Sequence, residues 1–208
     1  MKDLPELLEI SACDHDHLCP RQILGIRIGL RGLQALQIDP NQGSKRLLVI
    51  TETDGCFVDG LTAATNCTVG HRTLRVVDFG KAAATFVDTH TGQALRVAPV
   101  LDLRERASAF APEEAQHYRV QMKAYQTMPD EQMLTVRQVF LNTPIEQIVS
   151  RPGLRVNCDG CGEEIMNERG ILRSGMTFCR TCAMQGYYQP ADEDQVPLSL
   201  VGVYRTQE

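Results

Sequence analysis

Four cysteines near the C-terminus have the spacing of a metal site. The segment CDGCGEEIMNERGILRSGMTFCRTC holds two Cys-x2-Cys pairs separated by seventeen residues, formed by Cys158, Cys161, Cys179 and Cys182. This pattern is typical of tetrahedral zinc bound by four thiolates, with a rubredoxin-like iron site or unliganded thiols as the alternatives. We predict zinc, because a segment this short has too little core to fold without a metal.

The residues around these cysteines predict a small treble-clef-like zinc finger. Glycines accompany the first pair of thiols, a hairpin is expected between the pairs, and the second pair opens a helix. Residues 151–190 carry five arginines against four acidic residues, whereas a DNA-reading finger is expected to be more basic. We therefore expect a structural role or a protein contact, and not nucleic-acid binding.

A second group of imidazoles and thiols lies near the N-terminus. In CDHDHLCP, His15, His17 and Cys19 alternate, so their side chains point the same way if this segment is extended. Cys19 precedes Pro20, which is typical of a first helical residue, and a helix start favours an anionic sulfur atom. Imidazole and thiolate together suit zinc, copper, iron or nickel, so a second transition metal is one interpretation of this segment.

A further cysteine follows a predicted strand. Cys56 comes after RLLVITET and a Thr-Asp-Gly turn, where a strand ends and a helix begins, and open sheets present functional groups at such places. Asp59 shares a helical face with Cys56, and Cys67 ends the same segment. The alternative is that Cys56 and Cys67 are simply small buried hydrophobic residues.

Length and composition limit the class of protein. The chain has 208 residues, 43% of them hydrophobic, and a formal charge of −5, which argues against a general nucleic-acid binder. No apolar run reaches the length of a membrane span, and the N-terminus lacks the layout of a signal peptide, so we expect a cytoplasmic protein. Eight cysteines in that compartment indicate metal-binding or reactive thiols and not disulfides.

The elements that position these residues predict an α+β protein. The expected elements are a helix from Pro20 through Leu36, a strand in RLLVITET, three strands in residues 73–100, a helix that begins at Pro112 and a last strand in QMLTVRQVFL. We place the core domain at residues 1–150 and the zinc finger with its tail at 151–208. Glycines 25, 29 and 32 form a stripe on the first helix that either admits another backbone or weakens an ordinary core helix. With the family resemblance described next, this stripe predicts a homodimer.

Several motifs in order resemble the FmdE-like family, which is related to formylmethanofuran dehydrogenase. They are HDHLCP with LGIRIGLRGL, TETDGCFVDGL with NCTVGHRTLRVVDFGKAAATF, and the closing four-cysteine module. The resemblance implies a core site made of His17, Cys19, Cys56, Asp59 and Lys81, with Cys67 as a further ligand. His15 does not match the family pattern and is a weaker candidate, suggested by its alternation with His17 and Cys19. Two positions depart from the family pattern: Arg21 replaces a usual glycine, and Gly60-Leu61-Thr62 replaces a usual Ala-Ile-Gln. The arginine places a cation beside this site.

The resemblance implies a metal-binding protein that is accessory or related to formylmethanofuran dehydrogenase, in methanogenesis or one-carbon metabolism. Components of that enzyme are therefore possible partners, while the small-molecule ligand is unknown. The alternative is an independent enzyme. In that case a Cys19 or Cys56 thiolate is the nucleophile, a histidine is the base and Lys81 binds an anionic small-molecule substrate.

Overall fold

The computed structural model describes residues 2–13, 17–40 and 45–188, and the chain divides into two compact units after residue 145. The boundary expected from the sequence lies after residue 150. The first unit contains α1 (Leu4–Ala12), α2 (Pro20–Leu36), β1 (Leu47–Thr51), α3 (Cys56–Thr65), β2 (Leu74–Val76), β3 (Ala84–Asp88), β4 (Ala94–Pro99), α4 (Leu103–Phe110), α5 (His117–Thr127), α6 (Asp130–Met133) and β5 (Leu134–Gln138).

Five of these strands form one mixed sheet in the order β2-β1-β3-β4-β5. β2 pairs parallel to β1, and the other neighbours are antiparallel, with Val49 opposite Leu74 on one side and Phe86 on the other. Every residue of β3, the central strand, is buried. Helix α2 packs on the sheet, and the aromatic ring of Phe86 fills the space beside Gly32.

Helices α2 and α3 lie in backbone contact. A Cβ on Gly25 would overlap the carbonyl oxygen of Phe57, and a Cβ on Gly60 would overlap the carbonyl oxygen of Gln22. One turn further along both helices, a Cβ on Gly29 would lie 2.6 Å from that of Ala64. Because later residues of α2 meet later residues of α3, the two helices run parallel and their N-termini lie at the same end.

The glycine stripe therefore has a packing role within the chain. Helix α3 packs against Gly25 and Gly29, and the ring of Phe86 packs against Gly32, so this face of α2 is covered by its own chain. The interpretation that another backbone approaches the stripe is confirmed. Because α3 of the same chain occupies the stripe, the stripe gives no support for binding a second copy of the protein. The homodimer stays a prediction from the sequence.

The second unit contains two small antiparallel sheets and a helical turn. After α7 (Ile145–Val149), which begins at the division, β6 (Arg155–Asn157) pairs with β7 (Glu164–Met166), and β8 (Ile171–Arg173) pairs with β9 (Met176–Phe178). Gly175 turns the second hairpin with a positive φ of 81°. The helical turn Thr181–Gln185 completes the unit, so the expected order of hairpin and terminal helix is confirmed.

Most predicted elements of the first unit are present, and the α+β class is confirmed. The predicted start of a helix at Pro112 is wrong, because α4 ends at Phe110 and the following residues form a connection in which Glu114 N–H donates to Ala111 O. Helix α5 begins at His117 instead. Among the described residues, no helix has the length and apolar character needed to cross a membrane.

Replacing Gly25 by Ala tests the α2–α3 contact. In an unconstrained helix this change adds roughly 1 kcal/mol of stability, since alanine is the better helix former. Here the new methyl group meets backbone atoms that cannot move aside, so we expect the free energy of unfolding to fall by about 3 kcal/mol in urea denaturation.

Gly70→Ala is the matched control. A Cβ on Gly70 meets only the Thr68 hydroxyl oxygen, at 4.0 Å, so its unfolding free energy is expected to change little. Equal stability of the Gly25→Ala variant and the wild type would contradict the close helix contact.

Candidate functional site

The four C-terminal cysteines come together in one cluster. The Sγ atoms of Cys158, Cys161, Cys179 and Cys182 all lie within 4.8 Å of one another. The first two cysteines occupy the turn between β6 and β7, while Cys179 follows β9 and Cys182 lies in the helical turn. Four soft sulfur donors at this separation fit a tetrahedral zinc ion.

Backbone N–H groups already point at two of these sulfur atoms. Gly160 N–H and Cys179 N–H donate to Cys158 Sγ at 3.4 and 3.2 Å, and Cys182 N–H donates to Cys179 Sγ at 3.4 Å. The Cys179 N–H lowers the pKa of Cys158 to about 6, whereas the hydrogen bond with the Cys179 side chain raises the pKa of Cys182 to about 12. Four adjacent thiols thus cannot all ionise without a cation, and the donor set fits zinc.

Two thiols distant in sequence meet in the first unit. Cys19 is the N-cap of α2 and Cys56 is the first residue of α3, and the two thiols lie close enough for Cys19 to shift the pKa of Cys56. The parallel packing of α2 and α3 causes this proximity, because it brings the N-termini of both helices to one end. Cys19 is buried and Cys56 is partly exposed, so the pair can be approached through Cys56.

Burial raises the pKa of Cys56, and the hydrogen bond with Cys19 raises it further. The negative charge of Asp59, in the first turn of α3, acts in the same direction. Asp59 is therefore close to Cys56, as its position three residues along the helix predicted. Two soft sulfur donors with a nearby carboxylate can bind a cation, and either thiol can act as a nucleophile when it loses its proton.

Gln22 fixes the position of Cys19 and was not among the residues expected from the sequence. Its side chain is fully buried: Oε1 accepts the N–H of Cys19 at 2.8 Å, and Nε2 donates to the carbonyl oxygen of Ser11 at 2.8 Å. The end of α1 is thereby tied to the start of α2. A glutamine three residues after an N-cap is a recognisable sequence pattern, but here the cap is cysteine instead of the usual serine or threonine.

The segment Asp78-Phe79-Gly80-Lys81, which contains the predicted site residue Lys81, lies beside the end of β1. Phe79 N–H and Lys81 N–H both donate to the carbonyl oxygen of Glu52, at 2.9 and 3.1 Å, and Gly80 N–H donates to Asp78 Oδ1. The Lys81 side chain is exposed, with its Nζ 6.0 Å from the centre of the Phe79 ring. This motif therefore forms a turn and leaves the Lys81 ammonium group in solvent.

Glu52 is a second residue that the sequence patterns did not single out. Its carboxylate accepts two hydrogen bonds from the Arg96 guanidinium on β4, at 2.5 and 2.7 Å. This buried carboxylate follows β1 directly and connects the strand end to β4 across β3. The loop that leads into Cys56 is therefore anchored at its first residue.

The other predicted ligands, His15, His17 and Cys67, differ in what the structure shows of them. His17 is exposed, and His15 lies outside the described residues. Cys67 is buried at the opposite end of α3, where its Sγ lies 3.8 Å from Leu47 O and burial raises its pKa. In the described ranges, the four-cysteine cluster is the only group of three or more histidine, cysteine or acidic side chains arranged to hold a metal.

The fold and both thiol sites define a two-unit protein with an α+β core and a C4-type zinc finger. Residues 14–136, more than half of the chain, match the FmdE family, described as FmdE, molybdenum formylmethanofuran dehydrogenase operon. The chain belongs to this family. Residues 152–185 match the prokaryotic dksA/traR C4-type zinc finger, which agrees with the four-cysteine cluster.

Individual relatives extend the comparison. The crystal structure of an FmdE-like protein of the tungsten formylmethanofuran dehydrogenase type, from Syntrophus aciditrophicus, superposes with a TM-score of 0.57 at 21% identity, over 90% of this chain and 96% of that one. At this identity the likeness concerns the fold. A probable S-adenosyl-L-methionine-binding protein of Archaeoglobus fulgidus is 33% identical over 86 residues, 40% of this chain. The matched region spans 24% of that relative's length.

Zinc content tests the finger. We expect the purified chain to hold zinc at the four cysteines and to lose it in the Cys179→Ser variant, as measured by atomic emission. Acidification should also release zinc, because protons compete for the thiolate ligands. The Cys13→Ser variant changes an exposed thiol outside the cluster and should retain the metal. Retention of zinc by Cys179→Ser would contradict the assignment of this ligand.

Proposed function

We propose that this protein is a metal-binding accessory protein related to formylmethanofuran dehydrogenase, and that its core binds a soft transition metal at Cys19 and Cys56. The parallel packing of α2 and α3, which brings these two thiols close together, is the observation that carries the proposal. Cys19 and Cys56 are thirty-seven positions apart in the sequence. The helix packing that brings them together requires glycine at positions 25 and 60. The packed helices therefore hold two sulfur donors in position before a metal binds.

The surroundings of the pair support a cation as its ligand. Two neighbouring thiols cannot both ionise easily, since each negative charge disfavours the other, and a bound cation removes that conflict. Asp59 adds a third negative group close to Cys56. The partial exposure of Cys56 leaves room for further ligands from solvent or from a partner protein.

The family supports the connection to formylmethanofuran dehydrogenase. Its description refers to the operon of the molybdenum enzyme, and a soft-metal site suits a protein that works beside a metalloenzyme. We propose components of that enzyme as partners, with the zinc finger as the structural or partner-contact part of the chain.

The thiol pair also supports a second function, an enzyme that uses a cysteine thiolate. Cys56 is accessible and lies at the start of α3, where the helix dipole favours an anion. The exposed positions of His17 and Lys81 and the raised pKa of Cys56 give this alternative less support.

Cobalt binding tests the proposed core site. With the finger first loaded with zinc, added Co²⁺ should give a thiolate-to-cobalt charge-transfer absorption that is lost in Cys19→Ser and in Cys56→Ser. Cys67→Ala is the control, since Cys67 lies at the far end of α3, and it should keep the absorption.

Two results would decide against a core metal. One is a wild-type chain with no cobalt absorption beyond the finger, and the other is equal loss of the absorption in Cys67→Ala. Fast alkylation of Cys56 in a chain without core metal would instead favour the thiol enzyme.

A further inference from the structure

A cleft of about 400 Å³ opens in the first unit, beside the start of α2. Its walls come from the first turn of α2, the segment between β4 and α4, and α5. Pro20, which follows Cys19, and Ala82, which follows Lys81, both line it. The volume lies within the range of roughly 300–1,000 Å³ that is usual for small-molecule sites.

The floor of the cleft is apolar. Leu24, Leu103 and Tyr125 are buried at 6%, 4% and 3% exposure, and all three line the cavity. Pro99 and Val100 add further apolar surface. The hydrocarbon or aromatic part of a ligand can therefore bury its surface here.

Two arginines lie at the same cleft. Arg21 and Arg104 line it, and within the described residues neither forms an ion pair. By contrast, Arg27, Arg46 and Arg96 each hold a carboxylate elsewhere in the unit. Guanidinium groups beside an apolar floor are suited to bidentate hydrogen bonds with a carboxylate.

Two acidic residues, Asp102 and Glu105, also line the cleft. Asp102 is already engaged by Arg106, with Arg106 Nε 2.8 Å from Asp102 Oδ1. Glu105 and Arg104 are both exposed and both line a neighbouring groove with His117, so these two residues stand at the mouth of the cleft. Burial raises the pKa of the Tyr125 phenol and the positive charge of Arg104 lowers it, so that guanidinium acts electrostatically on the buried wall of the cleft.

We infer that this cleft binds a small organic carboxylate, whose charged group contacts Arg21 and Arg104 and whose apolar body lies on Leu24, Leu103 and Tyr125. The inference goes beyond the proposed metal site and uses none of its thiols. It gives the chain a ligand class: an organic acid with an aromatic or aliphatic body. The cleft begins one residue from Cys19, so such a ligand would lie next to the thiol pair.

Binding of 2-naphthoate to the full chain tests this inference, with 2-naphthalenemethanol as the neutral analogue. Ligand-observed NMR should show saturable binding of naphthoate, and the neutral analogue should bind more weakly. Arg21→Gln and Arg104→Gln should each weaken naphthoate binding about tenfold, as expected for the loss of one charge-assisted contact. Glu105→Gln removes a like charge at the mouth and should strengthen it.

Matched controls separate this site from general surface charge. Arg119→Gln removes an exposed charge on α5 that does not line the cleft, and it should bind naphthoate as the wild type does. Cys19→Ser should also bind it normally, which distinguishes this cleft from the metal site. Three results would overturn the inference: no naphthoate binding up to about 10 mM, equal binding of the neutral analogue, or equal losses in Arg119→Gln and Arg21→Gln. Thermal melting of each variant confirms that it is folded.

Discussion

The close contact between α2 and α3 is the constraint on which the candidate site depends. Two helix backbones approach until no side chain fits between Gly25 and Phe57 or between Gly60 and Gln22. Side-chain packing at an ordinary distance would hold helices roughly 8–10 Å apart and leave their first residues separated. Here the helices are parallel, and the N-cap of α2, Cys19, lies near the first residue of α3, Cys56. Each glycine lowers the intrinsic stability of its helix, but it also allows the close parallel packing of α2 and α3.

The two units depend on different forces. In the first, a mixed sheet and its helices bury a continuous apolar core that includes Phe57, Leu61 and Phe86. In the second, few hydrophobic side chains are buried within the described residues, among them Ile165 and Ala183, and the four cysteines hold the two hairpins and the helical turn around one point. A bound metal is expected to supply much of the folding free energy of such a small unit. Loss of zinc should therefore affect the finger far more than the core.

The sequence predicts some of this site and not the rest, for physical reasons. Cysteine spacing identifies the finger because all four ligands lie in two local turns. Pro20 identifies Cys19 as a helix cap because capping is also local. The proximity of Cys19 to Cys56 depends on the direction in which two distant helices pack, which local patterns do not specify. For the same reason the sequence motifs group Cys67 with Cys56. About ten helical residues, or roughly 15 Å, separate the two. Lys81 is a predicted site residue, but its side chain is exposed and its backbone N–H donates to the carbonyl oxygen of Glu52.

Anomalous X-ray diffraction from crystals soaked in Cd²⁺ tests the central claim most directly. Cadmium is soft enough to bind thiolates and scatters strongly enough to be located without reference to the protein atoms. The account predicts one cadmium in the four-cysteine cluster and another between Cys19 Sγ and Cys56 Sγ, with α2 and α3 in backbone contact behind it. Cadmium in the finger alone, with the sulfur atoms of Cys19 and Cys56 apart, would contradict it.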